Sequence, residues 1–205
     1  MSAAATVFGV IIAGGGSTRM GGGHKALLQL RGQRLVDRVR ARLSPQCAGL
    51  ALSVNDKAAF EGLGLPLIED DAALKLAGPL AGILAGLDHV AAQQPSTEWV
   101  VSAPADAPFL PADLVVRLVT ARTAEQAEIA CAASGGRAHP VIALWPVRIR
   151  GELRDALLRD GVRRVDRFTA RYRVAVIEWP AAPCDPFLNI NEPSDLAKAE
   201  MIADD

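Results

Sequence analysis

The sequence predicts a three-layer α/β fold, with a mostly parallel central sheet and helices on both of its faces. Short apolar runs rich in β-branched residues alternate with segments whose apolar residues recur at helical spacing. Several of these runs show no alternation of polar and apolar residues, as expected when helices cover both faces. The 205 residues are 50% hydrophobic, enough for one core and short for two enzyme domains, so we expect a single domain over 1–205.

Seven strands and four helices are predicted. The strands are expected at residues 7–12, 50–54, 65–68, 99–103, 129–133, 141–144 and 173–178. Three helical apolar stripes are formed by Leu35, Val36, Val39 and Leu43, then by Leu80, Ile83, Leu84 and Leu87, and then by Leu114, Val115, Leu118 and Val119. Pro111 is expected in the first turn of the third helix, and Pro193 just before a last helix at 194–202.

Composition and charge exclude several function classes. With 22 basic and 23 acidic residues the formal net charge is -1, which gives no general attraction to nucleic acid or to an anionic membrane. The three cysteines are far apart in sequence and form no CxxC pair, which favours a reducing compartment. No apolar stretch approaches the roughly 18 residues of a membrane helix. We therefore expect a soluble cytoplasmic protein that holds any phosphate ligand locally.

A glycine-rich segment directly follows the first predicted strand. Residues 14–25 contain six glycines together with Arg19 and Lys25. Glycines let the backbone approach a phosphate closely, and the two cations supply the charge that a developing pyrophosphate needs. A Walker-type loop does not fit because Ala26 follows Lys25, and a dinucleotide motif would not explain the two cations. A flexible connection between strand and helix remains the alternative.

Asp106 lies just beyond the fourth predicted strand, between Pro104 and Pro108. Ligands of open α/β sheets collect at the carboxyl ends of the strands. A single carboxylate there suits Mg²⁺, which takes one or two protein carboxylates and completes its coordination with phosphate oxygens and water. The alternative is an aspartate that caps the turn into the next helix.

Other polar residues at strand or helix ends are weaker candidates. Gly78 precedes Pro79 at a predicted helix start, where exposed amides can meet a ligand. Asn55 follows one strand and is placed to read a base edge. Asp70 and Asp71 follow the next strand, where either one binds ribose hydroxyls or merely solvates a loop.

Two amides, Asn189 and Asn191, lie two residues apart in an extended segment before the last helix. Side chains at i and i+2 of an extended segment point to the same side. They are therefore candidates for binding polar substrate atoms, and local turn and cap hydrogen bonds are the alternative.

These elements together resemble the molybdenum cofactor guanylyltransferases, within the wider group of Rossmann-like nucleotidyltransferases. The resemblance extends from residues 11–15 to residues 189–196. The opening strand, residues 19–22 and Lys25 mark the wider group, whereas residues 78–82, 139–140 and 189–191 are similar to the guanylyltransferase branch. The resemblance implies a three-layer Rossmann-like fold with a nucleotide-binding half at 1–110 and an acceptor-binding half at 111–205.

The activity that this resemblance implies is transfer of GMP from GTP to the phosphate of Mo-molybdopterin, giving the guanine dinucleotide cofactor and pyrophosphate. Asp106 would hold Mg²⁺, and Arg19 and Lys25 would neutralise the transferring phosphates. Nucleotide contacts are implied for Ile12, Ala13, Gly14, Gly15, Lys25, Asn55, Asp70 or Asp71, Gly78 and Asp106, and acceptor contacts for Asn189 and Asn191. Molybdoenzyme chaperones or other cofactor biosynthesis proteins are implied as partners.

Two positions depart from the family pattern, and two other functions stay open. His24 stands before Lys25 where the family commonly has an acidic residue, and Glu192 stands where a small hydroxyl residue would cap the last helix, so we expect that helix to start less tightly. The alternatives are a cytidylyltransferase that uses CTP on the same cofactor and a nucleotide-binding adaptor without turnover. The sequence assigns no chemical role to His139.

Overall fold

The central element of the molecule is a seven-stranded sheet. The computed structural model describes residues 7–14, 24–74 and 77–202. Its strands in chain order are β1 (Val7–Ile12), β2 (Gln29–Leu30), β3 (Gln33–Arg34), β4 (Leu50–Val54), β5 (Leu67–Glu69), β6 (Trp99–Pro104), β7 (Ile129–Ser134), β8 (Arg137–Pro146) and β9 (Val174–Trp179). β2 and β3 form a small antiparallel hairpin, and the other seven strands form one sheet in the order β5-β4-β1-β6-β8-β7-β9.

Helices cover both faces of this sheet. They are α1 (Leu35–Leu43), α2 (Pro79–Gln93), α3 (Leu114–Ala124), α4 (Arg150–Leu158), α5 (Val165–Thr169) and α6 (Pro193–Ile202). One apolar layer joins the sheet to α1 and α3, and a second joins the opposite face to α2, α4 and α5. The predicted mostly parallel, three-layer α/β class is therefore confirmed. In the described part of the chain, none of these helices is long and apolar enough to span a bilayer.

All strands of the large sheet except β8 run in one direction. β8 pairs antiparallel with both β6 and β7, whereas every other pairing is parallel. The carboxyl ends of β1, β4, β5, β6 and β7 therefore meet at one edge, which we call the carboxyl edge. Because β8 is reversed, its first residues lie at the same edge, beside the ends of β6 and β7.

Helix α2 lies very close to the sheet because two of its residues are glycines. A Cβ atom at Gly86 would lie 2.6 Å from Cγ2 of Val10, and one at Gly82 would lie 2.6 Å from Oγ of Ser53. Both distances are below any ordinary contact, so side chains at these positions would push the helix away. The close approach brings the first turn of α2 to the carboxyl edge.

Several predicted bounds differ from the structure. The strand expected at 141–144 is the middle of the longer β8, which begins at Arg137 after a turn in which Gly135 and Gly136 have φ values of 56° and 74°. Both φ values lie in the left-handed region, where glycine is favoured. The third helix begins at Leu114, so Pro111 lies in the preceding turn, and α4 and α5 were not predicted.

Candidate active site

A cleft of about 350 Å³ opens at the carboxyl edge and collects residues from both ends of the chain. Its lining includes seven of the residues that the sequence singles out, namely Ile12, Ala13, Gly14, Lys25, Asp106, Asn189 and Asn191. Arg19 and Gly15, also predicted for this site, lie outside the described residues.

Backbone hydrogen bonds fix the floor of the cleft. The amide of Ala13 donates to the carbonyl of Ser53 at 2.8 Å, and the amide of Ala105 donates to the carbonyl of Ile12 at 2.9 Å. Gly14 follows, and a Cβ atom there would lie 3.2 Å from Nδ2 of Asn55. A side chain at residue 14 would therefore crowd Asn55, which places this amide beside the floor.

Lys25 and Asp106 face this floor together. Burial raises the pKa of Asp106 above its ordinary value, and the nearby charge of Lys25 offsets part of that effect. Lys25 in turn donates from Nζ to Oδ1 of Asn191 at 2.8 Å. A partly buried carboxylate with one cationic neighbour is an environment in which a bound cation would favour the ionised form.

The segment that carries the two amides is tied directly to Asp106. Ile190 is buried between the exposed Asn189 and Asn191, and its amide donates to the carbonyl of Asp106 at 2.9 Å. The alternation places both amide side chains on the cleft side, as the spacing predicts.

The start of α6 is held by a residue that the sequence reasoning did not weigh. Oδ2 of Asp195 accepts hydrogen bonds from the amides of Asn191 and Glu192, both at 3.0 Å. Asp195 therefore stabilises the start of α6 by bonding back to the amides at and before the cap position, and the looser start expected from Glu192 stays a prediction.

The structure separates the two neighbouring aspartates. Asp70 is buried and accepts a hydrogen bond from Ser53 at 3.2 Å, so it lies at the ends of β4 and β5 next to the cleft floor. Burial raises the pKa of Asp70, and the Ser53 hydrogen bond opposes that shift. Asp71 instead lies 3.6 Å from Arg154 in a separate groove between β5, α2 and α4. Asp71 is therefore not placed at the cleft, and Ser53 is a site-supporting residue that was not predicted.

Gly78 and His24 each precede a residue that lines the cleft. Gly78 has a φ of 71° immediately before α2, a conformation that favours glycine, and the following Pro79 lines the cleft. His24 lies 3.2 Å from Asp56 and packs edge-on against Phe60, with ring centroids 5.0 Å apart. The histidine at the departure from the family pattern thus anchors the end of the glycine-rich segment next to Lys25.

The cleft offers few protein side chains that could bind a metal ion. Among residues 7–14, 24–74 and 77–202, no group of three or more His, Cys, Asp and Glu side chains is arranged to hold a metal ion. A cation in this cleft would rest on Asp106 and on the ligand's own oxygens, which is the pattern typical of Mg²⁺ bound with a nucleotide.

Comparison with known proteins assigns the chain to a family. The family model of the MobA-like NTP transferase domain matches residues 9–175. A molybdenum cofactor guanylyltransferase of Rhodopseudomonas palustris strain BisB5 is 59% identical over 195 residues, which are 95% of this chain and 92% of the relative.

Two solved structures share the fold. The molybdopterin-guanine dinucleotide biosynthesis protein A of Archaeoglobus fulgidus superposes with a TM-score of 0.74 at 24% identity, covering 96% of this chain and 98% of its own. A manganese complex of Rv0371C from Mycobacterium tuberculosis gives a TM-score of 0.68 at 18% identity, covering 96% and 98%. The chain belongs to the MobA-like NTP transferase family, within its branch of molybdenum cofactor guanylyltransferases.

Proposed function

We propose that this enzyme transfers GMP from GTP to the phosphate of Mo-molybdopterin, releasing pyrophosphate. The observation that carries the proposal is the placement of Lys25 and Asp106 in one cleft with a floor of backbone atoms, where the charge of Lys25 acts on Asp106 and Asn191 accepts a hydrogen bond from the same lysine. This arrangement joins a phosphate-binding cation, a metal-binding carboxylate and a polar acceptor segment in one cleft. The name of the 59% identical relative supports the substrate pair.

The two halves of the reaction divide between the two ends of the chain. Residues 1–110 supply Ile12, Ala13 and Gly14 for the nucleotide, with Asn55 on the base side. Asp70 is the ribose candidate, because its neighbour Asp71 is held elsewhere by Arg154. Residues 111–205 supply Asn189 and Asn191 for the acceptor.

The transfer requires alignment and charge neutralisation rather than a covalent enzyme intermediate. An anionic acceptor phosphate attacks the α-phosphorus of GTP, and the bond to the β-phosphate oxygen breaks. Lys25 stabilises the charge that accumulates on the departing pyrophosphate, assisted by Arg19. Asn191 orients Lys25 through the 2.8 Å hydrogen bond while facing the acceptor side.

A divalent cation, which we propose to be Mg²⁺, completes the site at Asp106. When bound there it neutralises phosphate charge and holds the triphosphate in position. Burial disfavours the ionised form of Asp106 by more than the charge of Lys25 offsets. A bound divalent cation would favour the ionised form, which supports this assignment.

We further propose that the enzyme works in the cytoplasm beside other molybdenum cofactor biosynthesis proteins or molybdoenzyme chaperones. Cys47, Cys131 and Cys184 are all free thiols in the structure. Free thiols in all three positions are typical of a reducing compartment.

The test is a transfer assay with GTP, Mg²⁺ and Mo-molybdopterin, in which the dinucleotide product is detected by mass spectrometry. Asp106→Asn should lower the rate by about 10²-fold or more because it removes the metal-binding charge while keeping the shape. The matched control Asp160→Asn alters an exposed aspartate that pairs with Arg171 at 2.8 Å, and should leave the rate unchanged.

The same assay separates the alternatives. Product from CTP in preference to GTP would replace the guanylyl assignment by a cytidylyl one. Tight GTP binding without any dinucleotide product would indicate an adaptor, and full activity of the Asp106 variant would refute the metal site.

A further inference from the structure

The tip of the β7–β8 hairpin carries polar side chains that the proposed reaction leaves without a role. Ser134 pairs with Arg137 at the end of the hairpin, and Ala132 pairs with His139. Because side chains alternate along a strand, Arg137 and His139 share one face, and Ser134 opposes Arg137 on that face.

Ser134 connects His139 to a carboxylate. Its Oγ lies 2.7 Å from Nε2 of His139 and 2.7 Å from Oδ1 of Asp185. Ionised carboxylates only accept hydrogen bonds, so the single hydroxyl hydrogen goes to Asp185 and Nε2 of His139 must be the donor to Ser134. In a neutral ring the other nitrogen, Nδ1, is then an acceptor, and no described residue forms a hydrogen bond to it.

This array lies beside the proposed acceptor segment. His139 and Arg137 both line two small grooves, of about 160 Å³ and about 260 Å³, and Asn189 borders both grooves as well as the active-site cleft. The histidine and the arginine are therefore reached from the cleft by passing Asn189.

Arg137 is available for an anion. It is exposed, and its side chain makes no ion pair or hydrogen bond to any residue that the structure describes. The nearby Glu178 is engaged instead, since its Oε1 accepts a hydrogen bond from the amide of Gly136 at 2.9 Å.

We propose that Arg137 and His139 form an anion-binding subsite that receives an anionic group of the acceptor as it enters past Asn189. The proposal rests on the proposed function for the identity of the acceptor, and adds the residues that recognise its charge. Ser134 and Asp185 act as positioning residues, because they fix the ring orientation and the tautomer of His139.

The charges around His139 make binding at this subsite depend on pH. Burial lowers the pKa of His139, and Arg137 lowers it further, whereas Asp185 and Glu178 raise it; the net shift is downward, which favours the neutral ring in the free enzyme. An anion beside the ring opposes the burial effect and favours the imidazolium form. Anion binding therefore takes up one proton at Nδ1, from the solvent or from the anion itself.

Two other titratable groups, Cys131 and Asp195, border His139 or its groove. Burial raises the pKa of the Cys131 thiol to about 11, so it stays protonated. Asp195 lines the same groove, and its Oδ2 already accepts two backbone hydrogen bonds.

The first test measures the histidine directly, without turnover. The chain has three histidines, so the ring signals can be followed by NMR during a pH titration and assigned by loss of one signal in His139→Gln. Adding inorganic phosphate should raise the pKa of His139 and leave the ring signals of His89, which lies in the separate groove of Asp71, unchanged. Arg137→Ala should remove most of that response, and an unresponsive His139 in the wild-type enzyme would overturn the proposal.

The second test separates acceptor recognition from nucleotide binding. Arg137→Ala should raise KM for the acceptor by on the order of 10-fold, as expected for one lost charge-assisted contact, with KM for GTP unchanged and Arg137→Lys showing a smaller effect. Ser134→Ala should shift the pH profile of kcat/KM for the acceptor. Unchanged acceptor KM values in an active enzyme would refute the subsite alone, whereas absence of GMP transfer by the wild type would refute the proposed function.

Discussion

The hydrogen bond between Ser53 and Asp70 allows the electrostatics at the cleft floor to be tested by a double-mutant cycle. Ser53 is fully buried, Asp70 is only 7% exposed, and the two side chains are 3.2 Å apart. Ser53→Ala removes the hydroxyl and leaves a buried carboxylate with one hydrogen bond fewer. Asp70→Asn removes the charge and keeps the shape.

The expected loss in free energy of unfolding follows from this geometry. A hydrogen bond to an ionised group contributes about 1.5–3 kcal/mol, and 3.2 Å is long for this type, so we expect Ser53→Ala to cost about 1.5 kcal/mol. For a chain of this size that is a decrease in Tm of about 3–6 °C. In the Asp70→Asn background the same change breaks a neutral hydrogen bond and should cost about 0.5 kcal/mol, which leaves a coupling energy of about 1 kcal/mol.

The pH dependence fixes the sign of the effect. Burial raises the pKa of Asp70 and Ser53 lowers it, so Ser53→Ala should raise this pKa further. A carboxyl group with a raised folded-state pKa contributes stability below its ordinary pKa, and loses that contribution as pH rises through the folded-state value. The cost of Ser53→Ala should therefore be small near the ordinary pKa of 3.8 and reach its full value only above the higher folded-state pKa of Asp70 in the variant.

Thermal unfolding of the four proteins across this pH range is the measurement, with GTP affinity by calorimetry as the functional readout. Asp70→Asn should weaken GTP binding if the carboxylate contacts ribose. Additive effects of the two substitutions, or a cost of Ser53→Ala that is the same at every pH, would refute the electrostatic coupling.

Two other substitutions test the phosphate-binding role of Lys25 and the close packing of α2 on the sheet. Lys25→Ala should slow GMP transfer by about 10²-fold and weaken GTP binding, since it removes a preorganised charge. The control is Lys57→Ala, which breaks an ion pair with Glu69 at 2.9 Å outside the cleft. Equal transfer rates for the two variants would contradict the role of Lys25. Gly86→Ala places a methyl 2.6 Å from Cγ2 of Val10 and should cost about 1–3 kcal/mol, measured as a fall in Tm. Gly151→Ala in α4 meets no atom within 4 Å and should be neutral or mildly stabilising, so a similar loss in both variants would exclude crowding as the cause.

The sequence predicts the sheet best where strands are buried on both faces. The bounds of β1 and β4 agree with prediction to the residue, since these strands are fully buried apolar runs. The first residues of β8 were not predicted because they extend past β6 and pair only with β7, so exposed polar side chains are tolerated there. Helix α4 does carry an apolar stripe at helical spacing, Leu153, Ala156 and Leu157, which the prediction missed, whereas the five-residue α5 is too short to give a periodic signal.

The sequence predicts site residues well where their position follows from nearby secondary structure, and poorly where it depends on contacts between residues far apart in the chain. Lys25 and Asp106 were expected together because each follows a strand that ends at the same edge. The sequence leaves Asp70 and Asp71 interchangeable, and only their contacts in the structure, with Ser53 and with Arg154, distinguish their surroundings. Ser134 and Asp185 are 51 positions apart, and no local pattern indicates their contact.

The segment proposed to bind the acceptor depends on a small apolar cluster separate from the main layers. Leu30, Leu35, Ile190 and Ala199 are its buried members, and they join the β2–β3 hairpin to α6. Ile190 also donates its amide to Asp106, so the same residue links this cluster to the proposed metal ligand. Four side chains bury far less apolar area than either sheet layer, and regions with few buried contacts open most easily. The position of Asn189 and Asn191 is therefore less stable than the sheet itself, which makes the proposed acceptor site the part of the cleft most easily disturbed by distant substitutions in α6.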